Sequence, residues 1–308
     1  MTSEGTIKEC SMKKSVGCVS ILTYFDVAYL CYNGIGDLMT EFIEILKYIL
    51  LGIIQGVTEI FPVSSSGHLT IFSNLLGMDL TNLTIFLMIT NAGSFLALLF
   101  YFRKDVQGLI RGSWRFIVKR EVHCKEDFVY VIKLIIAIIP IGVFGLLMKN
   151  VLPNDLLVVG FSLILTSGLL YYIYQQRDIQ WKSDVTWKNA VIIGAFQMFA
   201  IFPGISRSGI TITGGLSQKI ELKKVLRFSF LSYLIISVPV TLLGIYDAIY
   251  ATESIHLIGY SLAFLLSFAF SLIAVKFIYE YVKVKNLIYF AIYCLCVGIL
   301  SIVLFFVL

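Results

Sequence analysis

Three ionisable side chains interrupt otherwise apolar stretches of this 308-residue sequence. Glu59 and His68 lie in one stretch, and Arg207 lies in another. Ionisable groups are costly in apolar surroundings inside a membrane and commonly mark a functional site there. Any one of them could be a structural partner of another. Together, however, they supply a carboxylate, an acid–base group and a permanent cation, so we interpret them as parts of one site.

Small polar residues and glycines surround these charged groups. The guanidinium of Arg207 forms a fork that matches phosphate oxygens, and glycine lets the backbone approach a ligand closely. A helix that starts after a chain break presents free N–H groups and the positive end of its dipole to an anion. The sequence therefore predicts a phosphate-binding cradle built from two segments, with Ser64, Ser66 and Gly67 in the first and Ser206, Arg207 and Ser208 in the second.

The remaining groups suit phosphoryl transfer. The carboxylate of Glu59 would be repelled by a bound phosphate unless a cation lay between them, and a hard divalent ion prefers such oxygen ligands. We expect Mg²⁺, with Ca²⁺ as the alternative. His68 can move a proton near neutral pH. A cradle, a metal carboxylate, hydroxyls and an acid–base group form a phosphoryl-transfer set, and its expected substrate in a membrane is a lipid phosphate.

The composition indicates the kind of protein that must position these groups. The chain is 58% hydrophobic and 14% charged, whereas soluble proteins carry about 25% charged residues. This excludes a cytosolic enzyme, a disordered chain and a small disulfide-rich secreted domain, and predicts an all-α polytopic membrane protein. The net charge of +5 fits basic cytoplasmic loops, so we expect no nucleic-acid partner. Six apolar runs are long enough to span: roughly 83–102, 129–149, 155–174, 228–250, 257–279 and 287–308.

Two further apolar stretches, near 43–76 and 189–216, are interrupted by Pro, Ser and Gly. Basic loops at 103–127, 175–188, 217–227 and 276–286 are expected on the cytoplasmic side. This topology makes each interrupted stretch a re-entrant helical hairpin. Each half then holds one hairpin and three spans in opposite orientation, an inverted-topology repeat typical of transporters.

The repeat is visible in the residues themselves. A shift of 142 positions (206 − 64) aligns Gly52 with Gly194, Gln55 with Gln197, Ser64 with Ser206, Ser66 with Ser208 and Gly67 with Gly209. We place repeat one at about 42–174 and repeat two at about 188–308, within a single membrane domain over 39–308. Residues 1–38 are mixed in polarity, and we expect them to be an extension outside the fold.

Two segments resemble the signatures of a known family. Residues 56–68, which run from Gly56 to His68, and residues 203–209, Pro-Gly-Ile-Ser-Arg-Ser-Gly, resemble those of the undecaprenyl-diphosphate phosphatases, the BacA or UppP bacitracin-resistance proteins. The resemblance implies hydrolysis of undecaprenyl diphosphate to undecaprenyl phosphate and inorganic phosphate with a divalent cation. It also implies recycling of the lipid carrier for cell-wall synthesis, bacitracin resistance and a location in the bacterial cytoplasmic (inner) membrane. A homodimer is left open.

The resemblance also implies roles for single residues. Glu59 matches an acidic residue tied to metal or substrate, Ser65 and His68 match the proposed nucleophile and acid–base pair, and Arg207 matches the diphosphate-binding arginine. Ser66 falls on a Ser/Thr position beside the pair. The family often has two glutamates four residues apart, whereas this chain has Gln55 at the first position. Gln55 can offer its carbonyl oxygen to a metal but cannot ionise.

Several interpretations remain open at this point. Ser65 attacks the terminal phosphorus with His68 as base, or His68 itself activates water or attacks. A different class of function is a secondary transporter or flippase of lipid phosphate or a small anion, which the inverted repeat would suit equally. A structural membrane subunit is the third possibility, and the cost of three ionisable groups in lipid argues against it.

Overall fold

The computed structural model of the chain describes residues 38–78, 83–148, 155–178, 184–250 and 256–308. The chain divides into two compact units, Met1–Lys47 and Tyr48–Leu308. In the first unit residues 38–47 are helical, and the expected extension, apart from its last residue, lies outside the described residues. The second unit is helical, with no strand among its described residues. Its helices are α1 (48–60), α2 (Ser65–Leu75), α3 (Leu83–Tyr101), α4 (Arg103–Lys119), α5 (Lys125–Met148), α6 (Leu156–Gln175), α7 (Trp187–Met198), α8 (Arg207–Leu216), α9 (Leu222–Tyr250), α10 (Leu257–Tyr281) and α11 (Leu287–Val307).

Each of the six apolar runs coincides with one long helix, namely α3, α5, α6, α9, α10 and α11. Five of these helices are long and apolar enough to cross a membrane alone. The sixth, α3, qualifies together with α4, from which a bend of 73° separates it. The protein is therefore an all-helical, multi-pass membrane protein with five or six candidate spans.

The segment 103–127 differs from the loop that the sequence predicted. It forms helix α4, a 3-10 turn over Val122–Cys124 and the start of α5. Leu109 and Gly112 face the protein and are buried, and Phe116 stacks on Phe128 of α5 at 5.1 Å between ring centroids. The loop prediction was wrong because it weighed the charges of the segment and overlooked this helical spacing of buried positions.

Both interrupted stretches are broken into two helices, as the sequence predicted. Helix α1 ends at residue 60, and α2 begins at Ser65 after a turn that contains Pro62. Helix α7 continues as a 3-10 turn to Ile201, and α8 begins at Arg207. Proline removes a backbone donor and disfavours helical geometry in the residue before it, which places both breaks at the Pro-Ser-Gly motifs.

Two glycines 142 positions apart pack in the same way. A Cβ on Gly52 of α1 would lie 2.6 Å from the Cα of Ala263 in α10. A Cβ on Gly194 of α7 would lie 2.8 Å from the carbonyl oxygen of Ala137 in α5. In each case the first helix of a broken stretch lies against the backbone of a long helix at an alanine, a closeness that small residues permit.

Candidate active site

Serine caps fix the start of the second helix in each broken stretch. The Ser64 hydroxyl accepts a hydrogen bond from the Gly67 N–H at 3.3 Å, and the Ser206 hydroxyl accepts one from the Gly209 N–H at 3.1 Å. These are N-caps, which satisfy one of the free donors at a helix start. Ser64 has a φ of 70°, a left-handed conformation that is uncommon outside glycine. The aligned serines and glycines of the two stretches thus make the same capping hydrogen bond, although Ser206 has an extended backbone with a φ of −70°.

The two breaks lie directly against each other. The Ser208 hydroxyl donates to the carbonyl oxygen of Phe61 at 3.0 Å. A Cβ on Gly67 would lie 3.1 Å from the Cα of Gly204, which itself has a φ of 91°. The N-terminal ends of α2 and α8 are therefore neighbours, and Ser65 and Arg207 are the first residues of these two helices.

Glu59, at the end of α1, lies at the centre of the polar cluster. One carboxylate oxygen forms an ion pair with the Arg207 guanidinium. The other oxygen accepts a hydrogen bond from the Ser65 hydroxyl at 2.5 Å and one from the Gln55 amide at 3.0 Å. The Glu59 side chain is only 6% exposed. The structure thus brings Glu59, Ser65, Arg207 and Gln55 together.

Arg207 lies between Glu59 and an aromatic ring. Its guanidinium carbon is 3.9 Å from the ring centroid of Tyr233 in α9, which is a close cation–π contact. The Arg207 side chain remains 27% exposed. The ring supports one face of the guanidinium, so the N–H groups that are not paired with Glu59 remain available to a ligand that enters from the exposed side.

His68 occupies a separate place behind the start of α2. It is 1% exposed, with Nδ1 2.7 Å from the carbonyl oxygen of Ser64 and Nε2 2.8 Å from the Tyr293 hydroxyl. The two rings stack with an interplanar angle of 7°. Both ring nitrogens of His68 thus contact groups other than the Ser65 hydroxyl, which donates to Glu59.

A cavity of about 800 Å³ opens onto the cluster. Its polar end includes Glu59, Asn91 and Tyr233, together with Ser64 to Ser66 and Ser206 to Ser208, which include Arg207. Its other walls are apolar and come mainly from α5 and α9, with Ile135, Ile139, Val143, Leu146, Ile236 and Val240 among the lining residues. A small polar end and a long apolar wall match an amphiphile with an anionic head.

The donor set allows a divalent cation at this end of the cavity. Glu59 is the only carboxylate among the described lining residues. The Oε1 atom of Gln55 is buried without a hydrogen-bond partner among the described residues. Gln55 is fully buried and is not among the described residues that line the cavity, and its amide nitrogen is the atom directed at Glu59. The Glu59 carboxylate and the oxygens of a bound phosphate are therefore the ligands at the cavity that suit Mg²⁺, which needs few protein ligands. Within the described chain, a group of three metal-ligating side chains, Glu121, His123 and Cys124, forms elsewhere, and none of them lines the cavity.

Three residues of this region escaped the sequence analysis. Asn91 accepts a hydrogen bond from the Gln55 amide at 2.6 Å, Tyr233 supports Arg207, and Tyr293 contacts His68. Asn91 is an amide inside an apolar run and could have been found by that signal. Tyr233 and Tyr293 lie in apolar spans, where an aromatic residue commonly serves packing alone.

Comparisons with known proteins point to one family. Residues 48–300 match the family model described as bacitracin resistance protein BacA. An undecaprenyl-diphosphatase of Acholeplasma laidlawii is 57% identical, over 87% of this chain and 100% of that protein. Another, from Oceanobacillus iheyensis, is 36% identical over 87% of this chain and 99% of its own length. A third relative, undecaprenyl-diphosphatase 2 of Bacillus thuringiensis, is 37% identical, over 86% of this chain and 99% of that protein.

Proposed function

The chain belongs to the BacA family of bacitracin resistance proteins, and from this membership we propose how its site works. The protein is an undecaprenyl-diphosphate phosphatase, which hydrolyses undecaprenyl diphosphate to undecaprenyl phosphate and inorganic phosphate. This reaction returns the lipid carrier to cell-wall synthesis and accounts for bacitracin resistance. The observation that carries the mechanism is the Ser65 hydroxyl 2.5 Å from Glu59, beside an arginine at the polar end of an apolar cavity.

In the first step the diphosphate binds at the polar end of the cavity. Arg207 turns part of its fork from Glu59 to the phosphate oxygens, because bidentate contact with phosphate is favourable. The N-termini of α2 and α8 add backbone N–H groups and positive dipole ends. The prenyl chain follows the apolar wall of α5 and α9 toward the bilayer.

In the second step the Ser65 oxygen attacks the terminal phosphorus. The hydroxyl proton passes to the Glu59 carboxylate, which already accepts its hydrogen bond. The bond between the terminal phosphorus and the bridging oxygen breaks, and undecaprenyl phosphate leaves. Water then attacks the phosphoserine and the bond between phosphorus and the serine oxygen breaks. Glu59 returns its proton to that oxygen, and the protons of the water leave with inorganic phosphate. Nucleophile and base within hydrogen-bond reach are what covalent catalysis requires.

His68 has a positioning role in this mechanism. Its contacts with the Ser64 carbonyl and Tyr293 hold the turn that presents Ser65. The alternative in which His68 is the base or the nucleophile would need one of its ring nitrogens to leave its partner. The transporter alternative is not favoured, since the relatives are named as diphosphatases.

We propose that a divalent cation, Mg²⁺ or Ca²⁺, acts at this site. Glu59 would hold it together with the diphosphate. When bound, it would neutralise the negative charge that the diphosphate and Glu59 bring together.

The finer architecture is part of the same proposal. Six helices span the bacterial inner membrane, and the two broken stretches are re-entrant hairpins in an inverted-topology repeat. The matched serine caps and the matched glycine contacts support the repeat. Residues 39–308 form the membrane domain, and residues 1–38 are dispensable for activity.

The test is phosphate release from undecaprenyl diphosphate by purified protein in detergent, with and without EDTA. We expect chelator-sensitive release that falls about 1,000-fold in Ser65→Ala and Glu59→Gln, but less than about ten-fold in the neighbouring Ser66→Ala. Rapid quenching with labelled substrate should trap phosphate on Ser65. A phosphohistidine at His68 instead would contradict the serine mechanism, and no release from folded wild type across lipids and metals would contradict the activity.

A further inference from the structure

Helix α4 has an exposed apolar face. Ile110, Trp114 and Ile117, which we call the apolar row, are 63%, 63% and 59% exposed. Their spacing of four and three residues places them on one side of a helix. Three large apolar side chains in line are unusual on a surface that faces water and mark a contact with a partner or a membrane.

A second exposed face of α4 is basic. Lys104, Arg111, Arg115 and Lys119, which we call the basic row, are all exposed. Their spacing of seven, four and four residues places them on one side of the helix, next to the apolar row. Only one acidic residue, Asp105, lies in α4, and its carboxylate pairs with Arg227 of α9 at 2.6 Å. Arg115 pairs with Glu121, just beyond the end of the helix, at 3.5 Å. The other three cations of the basic row face outward without a carboxylate of α4 to neutralise them.

The third face fixes α4 to the protein. Leu109 and Gly112 are buried, and a Cβ on Gly112 would lie 2.0 Å from a carboxylate oxygen of Asp127. The Asp105–Arg227 ion pair holds the start of the helix, and the Phe116–Phe128 stack holds its end. The helix is thus a fixed element whose apolar and basic rows both point away from the protein.

The direction of α4 decides which surface it meets. It follows the apolar helix α3 after a bend of 73°. If α3 crosses the bilayer, a helix nearly perpendicular to it runs along the membrane surface. A helix with an apolar face, Lys and Arg beside it and a tryptophan in the apolar face is typical of helices that lie in this interface. Because α4 starts where α3 ends, it lies at the level of the membrane surface, and the bilayer is the apolar surface available to it there.

We propose that α4 is an in-plane surface helix that binds anionic phospholipid headgroups. The apolar row enters the boundary between headgroups and acyl chains, and the basic row contacts the phosphates of the same leaflet. Basic residues beside a span lie on the cytoplasmic side, where the membrane surface is negatively charged. Each cation near such a surface contributes about a five-fold increase in affinity.

Depth can be tested with Trp114 as a reporter. The chain has three tryptophans, so Trp181→Phe with Trp187→Phe leaves Trp114 alone. This protein would be placed in nanodiscs of equal parts phosphatidylglycerol and phosphatidylcholine, with the acyl chains of one lipid brominated. We expect brominated lipid to quench Trp114 emission and iodide in water to quench it weakly. Strong quenching by iodide, or shielding from both quenchers as a bound protein would produce, would overturn the proposal.

Headgroup preference can be tested in the same discs. We expect brominated phosphatidylglycerol to quench Trp114 more than brominated phosphatidylcholine does. The triple variant Lys104→Gln, Arg111→Gln, Lys119→Gln should abolish most of this preference, by up to about five-fold per cation removed. The matched control, Lys276→Gln, Lys283→Gln, Lys285→Gln, removes three exposed cations elsewhere and should leave it unchanged. The lipid assignment would be overturned if both triple variants lost the headgroup preference equally, or if the protein with Trp114 as its single tryptophan showed no such preference.

Discussion

At the scale of single residues, the Glu59 carboxylate has three hydrogen-bonding neighbours. It accepts from Arg207, Ser65 and Gln55, so a ligand that draws Arg207 away leaves one carboxylate oxygen without its ion-pair partner while the other still accepts from Ser65. The sequence predicted this grouping because polar and charged types stand out in apolar stretches. It did not predict where His68 points, because the partner of His68 is Tyr293, 225 residues away in sequence.

Replacing Gln55 by glutamate should increase the affinity of the site for its divalent cation. Gln55 is fully buried, and its amide donates to both Glu59 and Asn91. Gln55→Glu removes these donors and places two carboxylates together, which favours a bound divalent ion. We expect the Mg²⁺ concentration for half-maximal activity to fall about ten-fold, and the Tm in EDTA to drop.

The isosteric variant Gln55→Met provides the control for that experiment. It removes the amide without adding charge, so it should lower the Tm in EDTA but leave the Mg²⁺ requirement unimproved. An unchanged Mg²⁺ dependence in Gln55→Glu would mean that Gln55 does not face the cation.

The support of Arg207 by Tyr233 should be measurable in kcat/KM. Arg207→Lys keeps the charge but loses the fork and the stacking, and Tyr233→Leu removes the ring. A desolvated cation–π contact contributes about 2 kcal/mol, so we expect Tyr233→Leu to lower kcat/KM by roughly ten- to thirty-fold. We expect a larger loss, about 100-fold, in Arg207→Lys. Tyr233→Phe, which keeps the ring, should stay near wild type, and a loss as large as that of Tyr233→Leu would assign the effect to the hydroxyl.

At the scale of helices, close approach at glycine positions the broken stretches. Gly52 and Gly194 let α1 and α7 lie against Ala263 and Ala137. The sequence predicted both broken stretches, since Pro, Ser and Gly end helices by known backbone preferences. It missed α4, because a short amphipathic helix with many charges has a composition similar to that of a loop.

Adding a methyl group at these glycines should therefore destabilise the protein. In Gly52→Ala the new Cβ meets backbone atoms at 2.6 Å, and backbone cannot move aside cheaply. We expect each of Gly52→Ala and Gly194→Ala to cost about 1–3 kcal/mol in unfolding free energy, read as a lower Tm in detergent. Gly168→Ala in α6, where a Cβ meets nothing within 4 Å, should be neutral or slightly stabilising. Equal Tm values for all three variants would contradict the packing.

At the scale of the whole molecule, the cavity joins a polar end to an apolar wall supplied by helices far apart in sequence. The sequence analysis predicted the polar end, because its residues cluster in two motifs. The wall could not be predicted, since any of the six apolar runs could have supplied it. The packing of the helices determines which faces of α5 and α9 line the cavity. The sequence of a single apolar run does not reveal that packing.

Narrowing the apolar part of the cavity should weaken the binding of the prenyl chain more than it slows phosphate hydrolysis. Gly142 lines the cavity. A Cβ added there would have the Ile236 side chain as its nearest neighbour, at 3.8 Å, so a larger side chain would enter the cavity without a backbone clash. We expect Gly142→Leu to raise the KM for undecaprenyl diphosphate about ten-fold while kcat changes less than about three-fold. Gly168→Leu, away from the cavity, should leave both constants unchanged. A fall in kcat alone would mean that the prenyl chain takes another path.

If the proposed inverted repeat arose by duplication, the first residues of α2 and α8 illustrate what a duplicated chain can do that a symmetric pair cannot. Ser65 and Arg207 occupy matching places 142 positions apart, yet one is a hydroxyl and the other a cation. An ancestor of half this length, assembled from two identical copies in opposite orientations, would have carried the same side chain at both places. Gene fusion removes that constraint. Each copy can then specialise, one toward bond making and the other toward holding the anion, and neither half retains a complete set of catalytic groups.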